Sequence, residues 1–326
     1  MENLYPLKFE PIFKEKIWGL DNLNKSLNKK IDLNKKIGES WEISAISDNI
    51  SVVSNGFLAE NNLEEIIEIY MGNIVGDKVF DKFGIEFPLL IKFIDANEVL
   101  SIQVHPDNEI AKERHNAFGK TEMWYIVDAK QKAELISGFN KETNMQEYKL
   151  ALSSGNLKNI LNFEKVKKDD VYFIPAGRVH AIGAGIVLAE IQQTSDITYR
   201  IYDWGRKDDN GNYRELHTDL AVDVIDYGFY TNYKTDYKFT ENKTSNILEC
   251  EFFKTNILEF DKTVEKDYFL IDSFVVYICL EGEFEIDFAS GKEICKKGET
   301  ILLPAVLKNI KLIPKRKSKL LEVYIA

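Results

Sequence analysis

The middle and the end of this 326-residue chain contain two similar pairs of predicted β-strands. Segment 167–176 (KKDDVYFIPA) aligns with 296–305 (KKGETILLPA), and 123–136 (MWYIVDAKQKAELI) aligns with 275–288 (VVYICLEGEFEIDF). The offsets are 129 and 152 residues, so an insertion of 23 residues in the first copy accounts for the difference. Chance similarity between β-rich segments is the alternative interpretation. A repeated strand pattern predicts two similar antiparallel barrels, each burying its own apolar face.

Helical periodicity interrupts this strand pattern in three places. In the segment LAENNLEEIIEIYMGN, for example, apolar residues recur at i, i+3, i+4, i+7 and i+8, which is typical of a helix facing a core. We therefore predict a mainly β fold with helical insertions at about 57–83, 140–165 and 214–227. The first domain is predicted to span residues 1–230 and to carry the insertions, and the second to span residues 231–326.

The charge balance and the apolar runs exclude several classes of protein. The chain has 53 acidic and 42 basic residues and a net charge of −11, whereas a nucleic-acid-binding face needs an excess of Lys and Arg. No apolar run reaches the ~18 residues that cross a bilayer, and both signs of charge interrupt the N-terminal segment, unlike a signal peptide. Three cysteines without a CxxC pair suit a reducing compartment: Cys250, Cys279 and Cys295. We predict a cytoplasmic protein that binds neither nucleic acid nor membrane; its oligomeric state is not predicted.

Two histidines, a glutamate and a glutamine are placed so that their side chains can converge inside the first barrel. Gln103 and His105 are two residues apart in an extended segment, so both side chains point to the same side. Glu122 begins the next strand, and His180 follows the strand VYFIPA after a turn. Imidazole and carboxylate ligands suit a divalent first-row metal. The alternative is that each histidine is an ordinary polar residue at a strand end.

The repeat predicts that the second barrel lacks this group. Where the first copy has Glu122 and His180, the same offsets place Phe274 and Asn309 in the second copy. The chain has four histidines, and the other two lie on charged helical stretches and are assigned to the surface: His115 and His217.

Basic residues near the predicted metal group indicate an anionic ligand. Lys120 lies two residues before the glutamate, and the segment EIQQTSDITYRIYDWGRK contains Glu190 and Arg200. Arg200 lies in an apolar strand, where a charge needs a partner, and its guanidinium suits phosphate or carboxylate. Arg206 and Lys207, in the turn WGRKDDNGN, are expected to be solvated.

Four motifs together resemble the type I mannose-6-phosphate isomerases in their short bacterial form. These motifs are QVHP at 103–106, GKTEMWYI at 119–126, PAGRVHAIG at 175–183 and EIQQTSDITYRIYDWGR at 190–206. The segments KIWG and GESWEIS near the N-terminus are also similar to that family. The resemblance runs over essentially the whole chain. Larger relatives carry a longer helical domain, so substrate contacts made from it are not expected here.

The resemblance implies two cupin barrels, jelly-roll-like and antiparallel, with a helical insertion and one zinc ion per chain. It implies four metal ligands: Gln103, His105, Glu122 and His180. By the same resemblance Arg200 is a catalytic arginine, and Lys120 contacts the substrate. No other cofactor is implied.

The implied reaction interconverts mannose 6-phosphate and fructose 6-phosphate, so the partner is a small sugar phosphate. A proton moves between C1 and C2 through an enediol, which a divalent cation stabilises. Glu190 and Lys120 are the two candidates for the base. Two other functions are compatible with the residues alone: a cupin non-haem metal oxygenase, and a non-catalytic sugar-phosphate-binding module.

Overall fold

The predicted strands are present in the computed structural model, which describes residues 4–207 and 211–325. The first fourteen strands are β1 (Leu7–Lys8), β2 (Ile12–Leu20), β3 (Ile37–Ile43), β4 (Ala45–Ile46), β5 (Asn49–Ile50), β6 (Leu89–Ala96), β7 (Ile102–Val104), β8 (Glu122–Ala129), β9 (Glu134–Phe139), β10 (Leu161–Lys165), β11 (Val171–Ile174), β12 (His180–Ala181), β13 (Ile186–Gln193) and β14 (Tyr199–Tyr202). The later strands are β15 (Ser245–Glu249), β16 (Lys254–Phe260), β17 (Val264–Asp267), β18 (Val275–Phe288), β19 (Gly291–Lys296), β20 (Thr300–Leu303) and β21 (Asn309–Tyr324). The helices are α1 (Asn22–Leu27), α2 (Leu63–Tyr70), α3 (Gly72–Val75), α4 (Asp77–Phe83), α5 (Asn108–His115), α6 (Met145–Ser153) and α7 (Thr218–Val222), with a 3-10 helix at Leu157–Ile160.

Two antiparallel sheets form the N-terminal cupin barrel. The six-stranded sheet has the order β11-β8-β13-β6-β3-β2, and the five-stranded sheet has the order β10-β9-β12-β7-β14. Apolar side chains between the sheets form a core that includes Trp124, Tyr172 and Leu188. Strands β7 and β12 belong to one sheet and β8 to the other, so side chains from both sheets can meet inside this barrel.

The C-terminal cupin barrel is one eight-stranded sheet built around the long strands β18 and β21. Its order is β1-β20-β18-β21-β16-β15, with β17 paired to β21 and β19 paired to β18. Its interior core includes Tyr277, Phe284 and Leu320. Strand β1, from the start of the chain, pairs with β20 through Leu7 and Leu302. The chain therefore passes from the C-terminal barrel to the N-terminal barrel after β1 and returns after β14. The predicted domain boundary near residue 230 stays a prediction.

Helices cover the outer faces of the N-terminal barrel. The segment 63–83 forms α2, α3 and α4 rather than one helix, and its apolar residues pack into the core between the two barrels. Helix α2 begins with a capping box, in which the Asn62 side chain accepts from the Glu65 N–H and the Glu65 carboxylate accepts from the Asn62 N–H. Helices α6 and α7 pack on the five-stranded sheet through residues such as Tyr148 and Ala221.

The two barrels share one scheme of strand pairing, which confirms the internal repeat. The pair β8–β11 of the first barrel corresponds to the pair β18–β20 of the second. Strand β12 pairs with β7 and β9, and the first half of β21 pairs with β17 and β18 in the same way. Strand β13 pairs with β6 and β8, and the second half of β21 pairs with β16 and β18.

The strand register corrects the counterpart that the sequence offset assigned to Glu122. Glu122 lies opposite Ile174. Ile174 corresponds to Leu303 in the repeat, and Leu303 lies opposite Val275. The structural counterpart of Glu122 is therefore Val275, one residue away from the predicted Phe274.

This slip of one residue matters because it exchanges the two faces of a strand. Phe274 packs in the core between the barrels, whereas Val275 points into the C-terminal barrel. Likewise Asn309 is exposed, and the neighbouring side chain that enters the barrel is Ile310. Apolar residues thus occupy the positions of Glu122 and His180 in the second barrel.

No helix within residues 4–207 and 211–325 is long and apolar enough to cross a membrane.

Candidate metal centre and catalytic pocket

Three of the four predicted ligands come together inside the N-terminal barrel. His105 follows β7, Glu122 begins β8 and His180 begins β12. One possible ligand atom from each residue lies within 4.8 Å of the others, and all three side chains are buried. His180 Nε2 lies 3.3 Å from Glu122 Oε1, and His105 Nε2 lies 3.8 Å from Glu122 Oε2. Within the described residues this is the one cluster of His, Cys, Asp or Glu that could hold a metal ion.

The facing atoms of this group have few other partners. His105 Nε2 and both Glu122 carboxylate oxygens are buried and make no hydrogen bond. Buried polar atoms without partners are costly, and a cation among these atoms would satisfy all three. Burial first, and then the positive charge of Lys120, holds the pKa of His105 well below its ordinary value. Burial also lowers the pKa of His180 to about 4. Both imidazoles are therefore neutral at pH 7, which is the form that binds metals.

Backbone carbonyls fix the orientation of both imidazole rings. The Nδ1–H of His105 donates to the Ile197 carbonyl at 2.8 Å, and that of His180 donates to the Arg178 carbonyl at 2.8 Å. These bonds leave each Nε2 as the atom facing Glu122. The turn before His180 depends on Gly177, whose φ of +87° and close approach to the Val224 carbonyl exclude a larger residue.

Gln103 lies beside this group, and the orientation of its amide decides its role. Its Nε2 is 3.3 Å from His180 Nε2, and its Oε1 faces the Ser101 hydroxyl at 3.4 Å. A flip of this amide exchanges its oxygen and its nitrogen. With its amide flipped, Gln103 would point its oxygen at the group.

Its surroundings disfavour the ionised form of the Glu122 carboxyl group. Burial and the nearby charge of Glu190 raise the pKa of Glu122 to about 8. A cation beside it would favour the ionised carboxylate, because an opposite charge at this distance stabilises the charged form. The donor set is thus two neutral imidazoles and one carboxylate, which suits a divalent ion.

A pocket of about 390 Å³ opens beside Gln103, and all three predicted catalytic residues line it: Lys120, Glu190 and Arg200. Six cationic side chains line the same pocket: Lys14, Lys16, Lys92, Lys120, Arg200 and Arg214. Only three acidic ones do: Glu39, Glu190 and Asp196. In a protein of net charge −11 this excess of cations makes the pocket suitable for an anionic molecule.

Two hydrogen bonds fix the carboxylate of Glu190, whereas the ammonium of Lys120 has none among the described residues. One Glu190 oxygen accepts from Lys92 at 3.0 Å and the other from the Trp124 indole at 2.9 Å. Burial alone would raise the pKa of Glu190, but Lys92 and Lys120 outweigh burial and hold it below its ordinary value. The Lys120 ammonium makes no hydrogen bond among the described residues and lies 3.9 Å from Glu122. Its pKa is lowered by burial and then by the charge of Lys92.

Sequence reasoning missed two charged residues of this pocket, Lys92 and Glu39. Lys92 is buried in the apolar strand β6 between Glu190 and Glu39, and Trp41 donates to Glu39 at 2.6 Å. Burial would raise the pKa of Glu39, but Lys92 and Lys16 outweigh it and lower that pKa to about 2. A lysine in the middle of LLIKFI was a usable signal, since a charge in an apolar strand needs a partner.

Arg200 has an unused hydrogen-bond donor at the pocket. Its guanidinium donates to the Glu215 carbonyl at 2.9 Å, but its Nε is buried without a partner. Burial and the neighbouring charge of Arg214 lower its pKa. An anion in the pocket would relieve both the missing hydrogen bond and the repulsion between the two arginines.

Two surface assignments made from the sequence need correction. His217 is only partly exposed, and its ring accepts from the backbone N–H of Arg200 at 3.2 Å, so it supports the pocket. Arg206 is also partly buried, because it pairs with Asp203 at 2.5 Å and donates to the Val99 carbonyl. His115 and Lys207 are exposed, as expected.

Three comparisons with known proteins agree with one another. The family model described as phosphomannose isomerase type I, catalytic domain, matches residues 6–150. Mannose-6-phosphate isomerase ManA of Bacillus subtilis is 37% identical over 321 residues, which cover 94% of this chain and 95% of that protein. The mannose-6-phosphate isomerase of Streptococcus mutans is 33% identical over 305 residues, or 93% of this chain and 94% of that protein.

The structural comparison gives the same result. The crystal structure of the mannose 6-phosphate isomerase from Bacillus subtilis has a TM-score of 0.88 at 32% identity, covering 98% of this chain and 99% of that one. A putative mannosephosphate isomerase from Archaeoglobus fulgidus, at 20% identity and a TM-score of 0.79, shares the fold. Because identity above 30% extends over nearly the full length of both sequences, this chain belongs to the type I phosphomannose isomerase family.

Proposed function

We propose that this chain is a zinc-dependent aldose-ketose isomerase that interconverts mannose 6-phosphate and fructose 6-phosphate through an enediol. The observation that carries the proposal is the buried group of His105, Glu122 and His180 beside a cation-rich pocket. Its relatives in Bacillus subtilis and Streptococcus mutans bear the name of this activity. The three free cysteines are compatible with action in the cytoplasm.

The ligands fit one zinc ion per chain. His105, Glu122 and His180 would bind it, and Gln103 would complete the set with its amide oxygen. A zinc ion bound there would supply Lewis-acid stabilisation of the negative charge that develops on the sugar oxygens. Isomerisation needs no change of oxidation state, so a metal without redox chemistry is sufficient.

We assign the proton transfer between C2 and C1 to Lys120 ahead of Glu190. Both oxygens of Glu190 already accept hydrogen bonds from Lys92 and Trp124. Lys120 reaches the same pocket with an amine that makes no hydrogen bond among the described residues. As its neutral amine, Lys120 would take the proton from one carbon and return it to the other. Glu190 would hold Lys92 and the Trp124 indole in place around the substrate.

We assign Arg200 to the anionic end of the reaction. Its unpaired Nε and its repulsion with Arg214 both favour an anion at this position. A guanidinium can donate two parallel hydrogen bonds to an enediolate or to a phosphate. Since Arg200 contacts β7 through its strand pairing with Gln103, it lies close to the candidate ligands.

A coupled assay tests the function directly. Purified protein is given mannose 6-phosphate, and the appearance of fructose 6-phosphate is followed before and after chelation and after addition of zinc. We expect turnover without oxygen, its loss on chelation and its recovery with zinc. Turnover that persists in protein free of metal would contradict the metal role. A requirement for oxygen would favour an oxygenase, and ligand binding without product would favour a binding module.

Arg200→Ala distinguishes an isomerase from a binding module. We expect kcat to fall about 10²- to 10³-fold, since one hydrogen-bond donor to a developing oxyanion has an effect of this size. KM should change much less, and Arg200→Lys should be intermediate because a lysine keeps the charge but loses the planar fork. Arg114→Ala is the matched control, because Arg114 pairs with Asp223 outside the pocket. A loss of affinity in proportion to the loss of turnover would contradict the assignment.

A further inference from the structure

A second and larger cavity, of about 600 Å³, lies between the two barrels. The N-terminal barrel lines it with residues of segments 9–13 and 27–30, and the C-terminal barrel with Lys8 of β1 and residues 296–300. This volume is within the range of small-molecule sites. We call it the inter-barrel cavity.

The inter-barrel cavity is separate from the catalytic pocket. Strands β2 and β3 separate them, since neighbouring side chains on a strand point to opposite faces. Phe13 and Glu42 line the inter-barrel cavity. Lys14 and Trp41, the next residue after Phe13 and the one before Glu42, line the catalytic pocket. A ligand in one space therefore does not touch the residues of the other.

Cationic side chains outnumber acidic ones around the inter-barrel cavity by six to three. The cations are Lys8, Lys29, Lys30, Lys296, Lys297 and Arg316, and the acids are Glu10, Glu42 and Glu299. Lys29 is neutralised by Glu42 at 2.5 Å, and Lys8 by Glu299 at 3.2 Å. Arg316 has a longer contact, 3.6 Å, with Glu283.

Three of these lysines have no acidic partner. Lys30, Lys296 and Lys297 form no ion pair with any residue in the described ranges 4–207 and 211–325, although acidic residues outnumber basic ones in the chain. Lys30 belongs to the first barrel, whereas in the second barrel Lys296 ends β19 and Lys297 begins the turn that leads to β20. Their positive charges thus face one cavity from both sides.

A buried hydroxyl in the same cavity wall is also without a partner. Thr300 begins β20, is 5% exposed and lines the cavity. Its Oγ1 makes no hydrogen bond, which is unusual for a buried polar atom. A hydroxyl can donate to an anionic oxygen, and lysines bind phosphate as point charges. The unpaired hydroxyl and the unpaired lysines need the same kind of partner.

We propose that the inter-barrel cavity binds a small phosphorylated molecule. Lys30, Lys296 and Lys297 supply the charge, and Thr300 donates a hydrogen bond to a phosphate oxygen. A phosphate with two negative charges at pH 7 uses several cations at once, whereas a single carboxylate leaves most of them unpaired. The volume of about 600 Å³ admits a sugar phosphate or a mononucleotide.

Calorimetric titration with inorganic phosphate tests this site on the metal-loaded protein. The unchanged protein serves as the parent, and phosphate bound in the catalytic pocket contributes equally to every variant, because none of the substituted residues lines that pocket. In this parent, Lys30→Gln/Lys296→Gln/Lys297→Gln should weaken phosphate binding by roughly tenfold or more, because three attractive charges are removed. Thr300→Val should weaken binding severalfold while keeping the melting temperature, since it removes a hydroxyl that has no protein partner.

The control is Lys132→Gln/Lys149→Gln/Lys262→Gln in the same parent. These three exposed lysines lie outside both pockets, and the change in net charge is the same. We expect this control to bind phosphate like the parent. Equal affinities of the two triple variants overturn the proposal, and so does a parent that shows no saturable binding. A phosphate probe that binds only through general attraction to the protein would give the equal-affinity result.

Discussion

Replacing His180 with alanine should abolish stoichiometric metal binding and lower kcat/KM by at least about 10³-fold. His180 is buried, its Nε2 lies 3.3 Å from a Glu122 oxygen, and its other nitrogen is held by a carbonyl. Removing it leaves two of the three closest donors, and a catalytic metal contributes several kcal/mol of stabilisation to the transition state. The measurements are zinc per chain after gel filtration and the coupled assay with mannose 6-phosphate.

His115→Ala is the matched control for this prediction. His115 is exposed on α5, and its ring bonds to the Tyr199 hydroxyl at 2.7 Å rather than to the candidate ligands. We expect one zinc ion per chain and activity within about twofold of the unchanged protein. Circular dichroism of both variants shows whether each is folded. A folded His180→Ala protein that still holds one zinc ion per chain would contradict the assignment of the centre.

The alternation of side chains along strands made the candidate centre predictable. Gln103 and His105 share one side of an extended segment, and the structure places both beside Glu122 and His180. Parity is a local property that holds for any strand, so it needs no knowledge of the fold. Convergence of three strands is not local: the predicted barrel makes it possible, and the resemblance to the isomerase family implies the four ligands.

The register between strands could not be predicted to the residue. The offset of 152 aligned Glu122 with Phe274, whereas strand pairing aligns it with Val275. Both alignments match apolar residues with apolar residues, because β18 is buried on its two faces. Only the partner strand decides which face enters the barrel.

The inter-barrel cavity was hidden from sequence reasoning for a similar reason. Its lysines come from positions as distant as Lys30 and Lys297, and neither segment has a motif. His217 was misassigned because its charged neighbours indicated solvent, whereas the backbone of β14 covers part of its ring. Contacts of this kind depend on how remote segments pack, which is a tertiary property.

The C-terminal barrel retains a buried carboxylate at the position of Glu190. Glu190 lies opposite Trp124 in the first barrel, and Glu322 lies opposite Tyr277 in the second. The oxygens of Glu322 accept from Asn256 at 3.0 Å and from the Tyr268 hydroxyl at 2.5 Å.

A lysine neutralises the charge of this second carboxylate. Lys266 is 8% exposed, forms an ion pair with Glu322 and donates to the Thr244 hydroxyl at 2.7 Å. Lys266 lies on β17, the counterpart of β7, opposite Ile310. One ammonium group therefore balances the buried charge in the second barrel, without imidazole ligands.

Lys266→Met should lower the free energy of unfolding by about 3–5 kcal/mol, because it leaves the Glu322 carboxylate buried without its cation. Urea unfolding followed by far-UV circular dichroism measures the loss. The double variant Lys266→Met/Glu322→Gln should lose only about 1–2 kcal/mol, since the amide of glutamine is neutral and its oxygen still accepts a hydrogen bond.

Lys311→Met is the surface control, because Lys311 pairs with the exposed Glu265, and such pairs contribute about 0–1 kcal/mol. If Lys266→Met were no more destabilising than Lys311→Met, the buried pair would have to be hydrated. If the double variant were as unstable as the single one, the loss would come from packing of the lysine chain rather than from an unpaired charge.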